Sequence, residues 1–192
     1  MTSSPTSKGA VALAALLLCT PLHAADSTGV FAQEGPGRLS CERAFSKDET
    51  GEQARLVAAW VTGFVTAHNA LLDDTFDLTP WQTPATLLSL LNQFCTANPD
   101  KSVTDGMLQL VEYLKPGRLE NAAKLVVLGT EGKQTILYDA VVVQARERLA
   151  LAGFPPGPTL EDLANAITAY QSDTGLEATG LLDQRTLARL LQ

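Results

Sequence analysis

Residues 174–190 read TGLEATGLLDQRTLARL, and this stretch constrains the fold more than any other part of the 192-residue chain. Gly175 is placed to stop a helix, because glycine adopts the left-handed conformation that closes a helix without a steric penalty. Asp183 is placed to cap the next helix, with Leu182 positioned to staple against Leu187. Leu187, Leu190 and Leu191 then face inward. Upstream, Thr159 starts a helix with Asp162 at its third position, and Leu160, Leu163, Ile167 and Tyr170 form the expected buried face. Val142, Ala145, Leu149 and Ala152 make the stripe of an earlier helix that Gly153 ends. The local signals agree, so residues 139–192 are expected to be a three-helix unit.

The first half of the chain is also helical in pattern. SKDE at 46–49 resembles a capping box, with Ser46 three residues before Glu49. In ARLVAAWVTGFVTAHNALL, residues Leu56, Val57, Trp60, Val61, Phe64, Val65 and His68 share one face. Gly63 within it costs about 1 kcal/mol of helix propensity against alanine, so close approach of a neighbouring helix is expected there. Thr83-Pro84 starts another helix, followed by Leu87, Leu88, Leu91, Phe94 and Cys95, and Asn98-Pro99 ends it. SVTD at 102–105 caps a further helix carrying Met107, Leu108, Val111 and Leu114, which Lys115-Pro116-Gly117 stops. Between the two helical regions, KLVVLGTEGKQTILYDAV holds two β-branched runs around Gly129-Thr130-Glu131-Gly132, a hairpin pattern. A two-stranded hairpin is marginal alone, so it must lean on a neighbouring domain. The expected fold is mainly α: a helical domain at 38–119, a hairpin or linker at 120–138 and the three-helix domain at 139–192. A flexible leader is expected at 25–37.

The N-terminus carries a targeting pattern. Lys8 precedes an apolar run from Ala10 to Cys19, and Leu22 and Ala24 occupy the −3 and −1 places of a small-residue cleavage site. The run is shorter than the ~20 residues a spanning helix needs. Residues 1–24 are therefore expected to be a signal peptide cleaved near Ala24, leaving no membrane span and a periplasmic or secreted protein. An uncleaved anchor or a lipoprotein modified at Cys19 are the alternatives; Leu18 is larger than the residue usual before a lipidated cysteine. After cleavage Cys41 and Cys95 remain, and an even pair in an exported protein reads as a disulfide, the alternative being two free thiols. Such a bond would close a loop of about 55 residues, worth about 4 kcal/mol in the chain-entropy treatment.

Composition narrows the chemistry. The net charge is −7, which repels nucleic acid and anionic lipid. Of two histidines, His23 leaves with the signal peptide. His68 alone cannot build the multi-histidine sets of zinc peptidases and amidases, and it lies near an apolar helix face. Asp73, Asp74 and Asp77 cluster in LLDDTFDL, but their spacing matches no EF-hand-like loop. Paired carboxylates could in principle hydrolyse glycans, yet with 21 acidic residues some pair is always available. No phosphate loop or nucleotide fingerprint appears. The expectation is a protein without enzyme activity, cofactor or metal.

Two resemblances give this reading a context. Leu149-Ala150-Leu151-Ala152-Gly153-Phe154, Pro156-Gly157, Ala166-Ile167, Ala169-Tyr170-Gln171, Thr174-Gly175-Leu176, Thr179-Gly180-Leu181-Leu182-Asp183 and Thr186-Leu187 follow in an order that resembles the peptidoglycan-binding-domain-like family. That family is a three-helix module attached to many secreted cell-wall enzymes. The resemblance implies peptidoglycan as a partner, with Tyr170, Gln171, Thr174, Thr179 and Asp183 as the expected ligand contacts. Tyr170 stands where the family usually has Phe, and the short, proline-heavy Pro155–Thr159 loop replaces a glycine- and aspartate-rich one. Cys41, Trp60-Val61-Thr62-Gly63-Phe64, Asn69, Cys95 and Asn98-Pro99 resemble the secreted, disulfide-bonded helical proteins of the HdeA and Rap1a-like group. That likeness implies a periplasmic protein partner, as for immunity proteins or acid-stress chaperones. Two further readings stand beside these. One is a periplasmic interaction, immunity or chaperone-type protein whose C-terminal module is structural only; the other is a divergent cell-wall hydrolase using carboxylates alone.

Overall fold

The computed structural model describes Asp26, residues 28–46 and residues 51–191. The predicted signal peptide, and residues 47–49 of the SKDE motif, lie outside the described residues. A first unit ends at Ala32; within it Asp26 Oδ1 accepts the backbone N–H groups of Thr28 and Val30, each at 2.9 Å. The second unit begins at Gln33.

Four α-helices build a first core: α1 (Cys41–Ala44), α2 (Glu52–Leu71), α3 (Pro84–Ala97) and α4 (Val103–Leu114). Their starts follow the local chemistry. Thr83 caps α3, its side chain accepting from the N–H of Thr86, with Pro84 in the first turn. Ser102 and Asp105 form a complete capping box on α4. The start of α2 differs from expectation: Gly51, not Ser46, is its N-cap, and the Ser46 hydroxyl donates to the Arg43 carbonyl. Cys41 and Cys95 are disulfide-bonded, Cα atoms 4.9 Å apart, tying α1 to α3 inside this core.

The buried line of α2 is narrower than the apolar stripe predicts. Val57, Val61 and Val65 are buried and Trp60 and Phe64 pack at the edge, but Leu56 is exposed. His68 stacks on the Phe64 ring, centroids 4.2 Å apart, with Nδ1 2.8 Å from the Phe64 carbonyl oxygen. Leu108 of α4, also expected inside, is partly exposed. Residues 35–38, which include the last three residues of the expected leader, form a 3-10 turn, and Gly37 is buried with its carbonyl accepting from Thr104 Oγ1 at 3.0 Å.

Gly63 is not the point of close helix approach. A Cβ built there meets nothing within 4 Å. The close approach is at Gly106 of α4, where a Cβ would lie 2.6 Å from Leu91 Cδ1 and 2.8 Å from Phe94 Cδ1. Opposite effects follow from one substitution. Gly63→Ala is expected to stabilise by up to about 1 kcal/mol through helix propensity, and Gly106→Ala to destabilise by about 1–3 kcal/mol through overpacking. Urea denaturation of both variants checks this; equal effects would sink the steric distinction.

The hairpin comprises β1 (Leu125–Thr130) and β2 (Lys133–Tyr138), antiparallel, with Val126 opposite Leu137 and Leu128 opposite Thr135. Three helices follow: α5 (Asp139–Leu151), α6 (Leu160–Asp173) and α7 (Gln184–Leu191). The fold is thus mainly α, with a disulfide-bonded helical part, a short hairpin and a three-helix part. Thr159 and Asp162 form the capping box of α6, and hydrogen bonding to Thr159 holds the Asp162 carboxyl below the usual aspartate range. Gly175, at φ 72°, ends α6: Leu176 N–H reaches the Gln171 carbonyl at 2.8 Å, the long bond of a Schellman stop.

The hairpin leans on these C-terminal helices. Leu128 and Leu137 are buried in one core cluster with Val141, Leu149, Leu163, Ile167, Leu182 and Leu187. Trp81, from the segment before α3, belongs to the same cluster. Gln184 joins the two helical parts: its Nε2 donates to the Trp81 carbonyl, and its Oε1 accepts from Thr83 N at 3.1 Å and Thr86 Oγ1 at 2.6 Å. No helix among the described residues is long and apolar enough to cross a membrane.

Candidate functional site

The corner between α6 and α7 is organised by one amide. Gln171 is fully buried. Its Nε2 faces Thr179 Oγ1 at 2.9 Å, Thr186 Oγ1 at 2.8 Å and the Leu181 carbonyl at 3.1 Å, and its Oε1 accepts the Gly180 N–H at 2.9 Å. Asp183 Oδ1 caps α7, accepting from Thr186 N and Thr186 Oγ1, both at 2.9 Å. Thr179 Oγ1 donates to Asp183 Oδ2 at 2.8 Å.

Three of the five residues expected to touch a ligand therefore meet in one network, and the network is turned inward. Thr179 gives its hydroxyl proton to Asp183 and accepts from Gln171 and from Leu181 N–H at 3.3 Å, which uses both lone pairs of a hydroxyl. The other two residues sit together at the end of α6. Thr174 Oγ1 donates to the Tyr170 carbonyl at 2.7 Å, while the buried Tyr170 ring meets Phe154 edge-on, centroids 5.7 Å apart. Burial holds the Tyr170 phenol above the usual tyrosine range, the Arg189 charge opposing it. Among the five, Asp183 retains spare acceptor capacity, since an ionised carboxylate offers about four lone-pair sites.

Two hollows flank this corner. The smaller, about 350 Å³, is lined by Leu176, Glu177, Asp183, Gln184 and Arg185. The larger is a groove of about 420 Å³ between the hairpin and α6, within the size range of small-ligand sites. Thr130 and Lys133 line it from the hairpin, Leu160, Glu161, Ala164 and Thr168 from α6, and Thr179, Gly180 and Leu181 from the α6–α7 loop. Leu160, expected in the core, is instead 62% exposed on this wall. Of the five expected contacts, Thr179 alone reaches the groove.

The groove's hairpin wall is held firmly. Gly129, at φ 99°, sits so close to the α6–α7 loop that a Cβ there would lie 2.9 Å from Leu181 Cδ2. The opposite side of α6 is also fixed: Arg146 of α5 donates from Nη1 to the Gly157 carbonyl at 2.7 Å and from Nη2 to that of Thr159 at 3.0 Å, pinning the short proline-rich loop. Sequence reasoning missed Lys133, Glu161 and Thr168, because no local signal reports that the hairpin folds back onto α6.

A third hollow, about 330 Å³, lies between α3 and α4 and is lined by Leu90, Leu91, Phe94, Gly106, Leu110 and Tyr113 among others. Among the described residues, no group of three or more His, Cys, Asp or Glu is arranged to hold a metal ion.

Neither a search of curated proteins nor one of solved structures finds a match to this chain. Residues 139–190 match a family model described as a putative peptidoglycan binding domain, a match that opens at the first residue of α5, runs into α7 and leaves the hairpin outside it.

Proposed function

We propose that this chain is an exported, non-catalytic protein that binds peptidoglycan through its three C-terminal helices and a protein partner through its N-terminal helical part. The observation that carries the reading is the family match over residues 139–190, which coincides with α5, α6 and α7. The groove beside α6 is the larger of the two hollows on that unit and has the room and the polar rim to take a ligand. The Gln171 network supports a scaffolding role for Gln171, Thr179 and Asp183: they hold the loop at Thr179–Leu181 that lines the groove. The signal-peptide pattern supports a periplasmic location, and the residue pattern shared with HdeA and Rap1a-like proteins supports the protein partner. Two separate core clusters support a division into two domains.

Co-sedimentation with purified sacculi tests the central claim. The purified protein is expected in the pellet, with no soluble muropeptides released during the incubation. Protein that stays in the supernatant would favour the interaction-protein reading, for which the Gln184 joint to Trp81, Thr83 and Thr86 is the supporting observation. Released muropeptides would mean an enzyme.

A further inference from the structure

We propose that the groove between the hairpin and α6 receives the peptide stem of peptidoglycan rather than its sugar chain, with Lys133 meeting a free carboxylate and Glu161 an ammonium group. This inference rests on the peptidoglycan reading above and names which part of the polymer is gripped.

The lining chemistry carries it. Sugar rings are gripped by flat aromatic faces laid against their C–H surfaces, and no aromatic ring lines this groove. The aromatic residues of this region, Trp81, Tyr138, Phe154 and Tyr170, are committed to the core cluster or packed against it. Between Thr130, Thr168 and Thr179 the walls are aliphatic: Leu160, Ala164 and Leu181 present surface suited to small methyl-bearing side chains. At the rim Lys133 and Glu161 stand on different walls, one on the hairpin and the other in the first turn of α6. Both are exposed, and neither makes an ion pair among the described residues. A cation and an anion on different walls of a largely aliphatic groove match a short zwitterionic peptide, whereas an N-acetylated sugar chain offers Glu161 no ammonium partner. Stem peptides supply all three features: alanine methyls, free carboxylates and, in the diaminopimelate type, a side-chain ammonium. The wall that carries Lys133 is anchored by Leu128 and Leu137 in the core and by the Gly129–Leu181 contact. The backbone that carries Lys133 is therefore held in position before the ligand arrives, which lowers part of the ordering cost of binding.

Three binding materials test it on the purified protein: intact sacculi, glycan chains stripped of their peptides by an amidase with the lactyl carboxylates this frees capped as amides, and the synthetic tetrapeptide Ala-γ-D-Glu-diaminopimelate-D-Ala. Retention is expected on sacculi and to fall about tenfold or more on stripped glycan, the loss of one or more charge-assisted contacts. The tetrapeptide is expected to bind, to weaken about tenfold with Lys133→Glu and to recover with Lys133→Arg. Thermal melting should be the same for all three proteins, since Lys133 is exposed. Equal retention on sacculi and stripped glycan would overturn this inference and leave the peptidoglycan reading standing. Tetrapeptide binding indifferent to Lys133→Glu would overturn the assignment of Lys133. No retention on sacculi would overturn both the inference and the reading beneath it.

Discussion

Gln171→Ala is expected to destabilise the C-terminal helices by about 3–4 kcal/mol, combining lost buried hydrogen bonds with the cavity left behind. The reason is concentration of function in one side chain. The amide meets a backbone N–H at Gly180, a backbone carbonyl at Leu181 and two hydroxyls, at Thr179 and Thr186, and it is fully buried while doing so. Removal leaves the half-buried Gly180 N–H and Leu181 carbonyl without their partner, and an unmet buried polar group costs about 1–3 kcal/mol. Thr186 is less affected, because Asp183 still accepts its hydroxyl proton. For a protein of this size the change corresponds to a fall of roughly 10 °C in the melting temperature. Gln171→Met separates packing from polarity, since it fills similar space without hydrogen-bonding groups. Calorimetry of the pair is decisive: if the methionine variant melts with the wild type, the amide's bonds are not what holds this corner.

The second large effect is expected at the disulfide. Cys41→Ala is expected to cost about 4 kcal/mol, the entropy regained by an unfolded loop of about 55 residues. The loss should fall on α1 to α4, since both cysteines lie in the first core cluster. Part of the local geometry has other support: Cys41 N–H donates to the Lys101 carbonyl at 2.7 Å and Glu42 N–H to that of Pro99 at 3.0 Å. The native arrangement therefore persists in the variant with a lower denaturation midpoint, and adding reductant to the wild type should reproduce the shift. Amide exchange then tests the domain division proposed above. Protection should drop in α2, α3 and α4 and hold in α5, α6 and α7. Joint loss would mean that the Gln184 joint fuses the two parts into one cooperative unit.

The helix boundaries were legible in the sequence because capping is decided within four residues. Ser102 with Asp105, Thr159 with Asp162, and Asp183 ahead of α7 all cap the helices the pattern predicts. The Cys41–Cys95 pairing was legible as well, since these are the two of the three cysteines that would remain once the expected signal peptide took Cys19 away. What the sequence could not reveal was which way a polar side chain turns. Gln171 looks the same on paper whether it faces a ligand or Leu181, and only the tertiary fold buries it. Leu56 and Leu160 carry the period of a buried face yet sit outside, because each helix is covered on a narrower arc than its apolar stripe. Gly63 and Gly106 show the same limit: the pattern says that a glycine sits in a helix, and the partner helix decides which one is needed.

The hairpin has a consequence for where this unit can be cut as well as for binding. The segment that matches the family model opens at Asp139, whereas the core that segment helps to build also takes Leu128 and Leu137 from the strands before it. The matched segment and the unit that closes its hydrophobic surface thus differ by two strands and Trp81. Cut at Asp139, residues 139–190 would have an open flank where those leucines sit. In this chain the cover also carries a lysine to the groove.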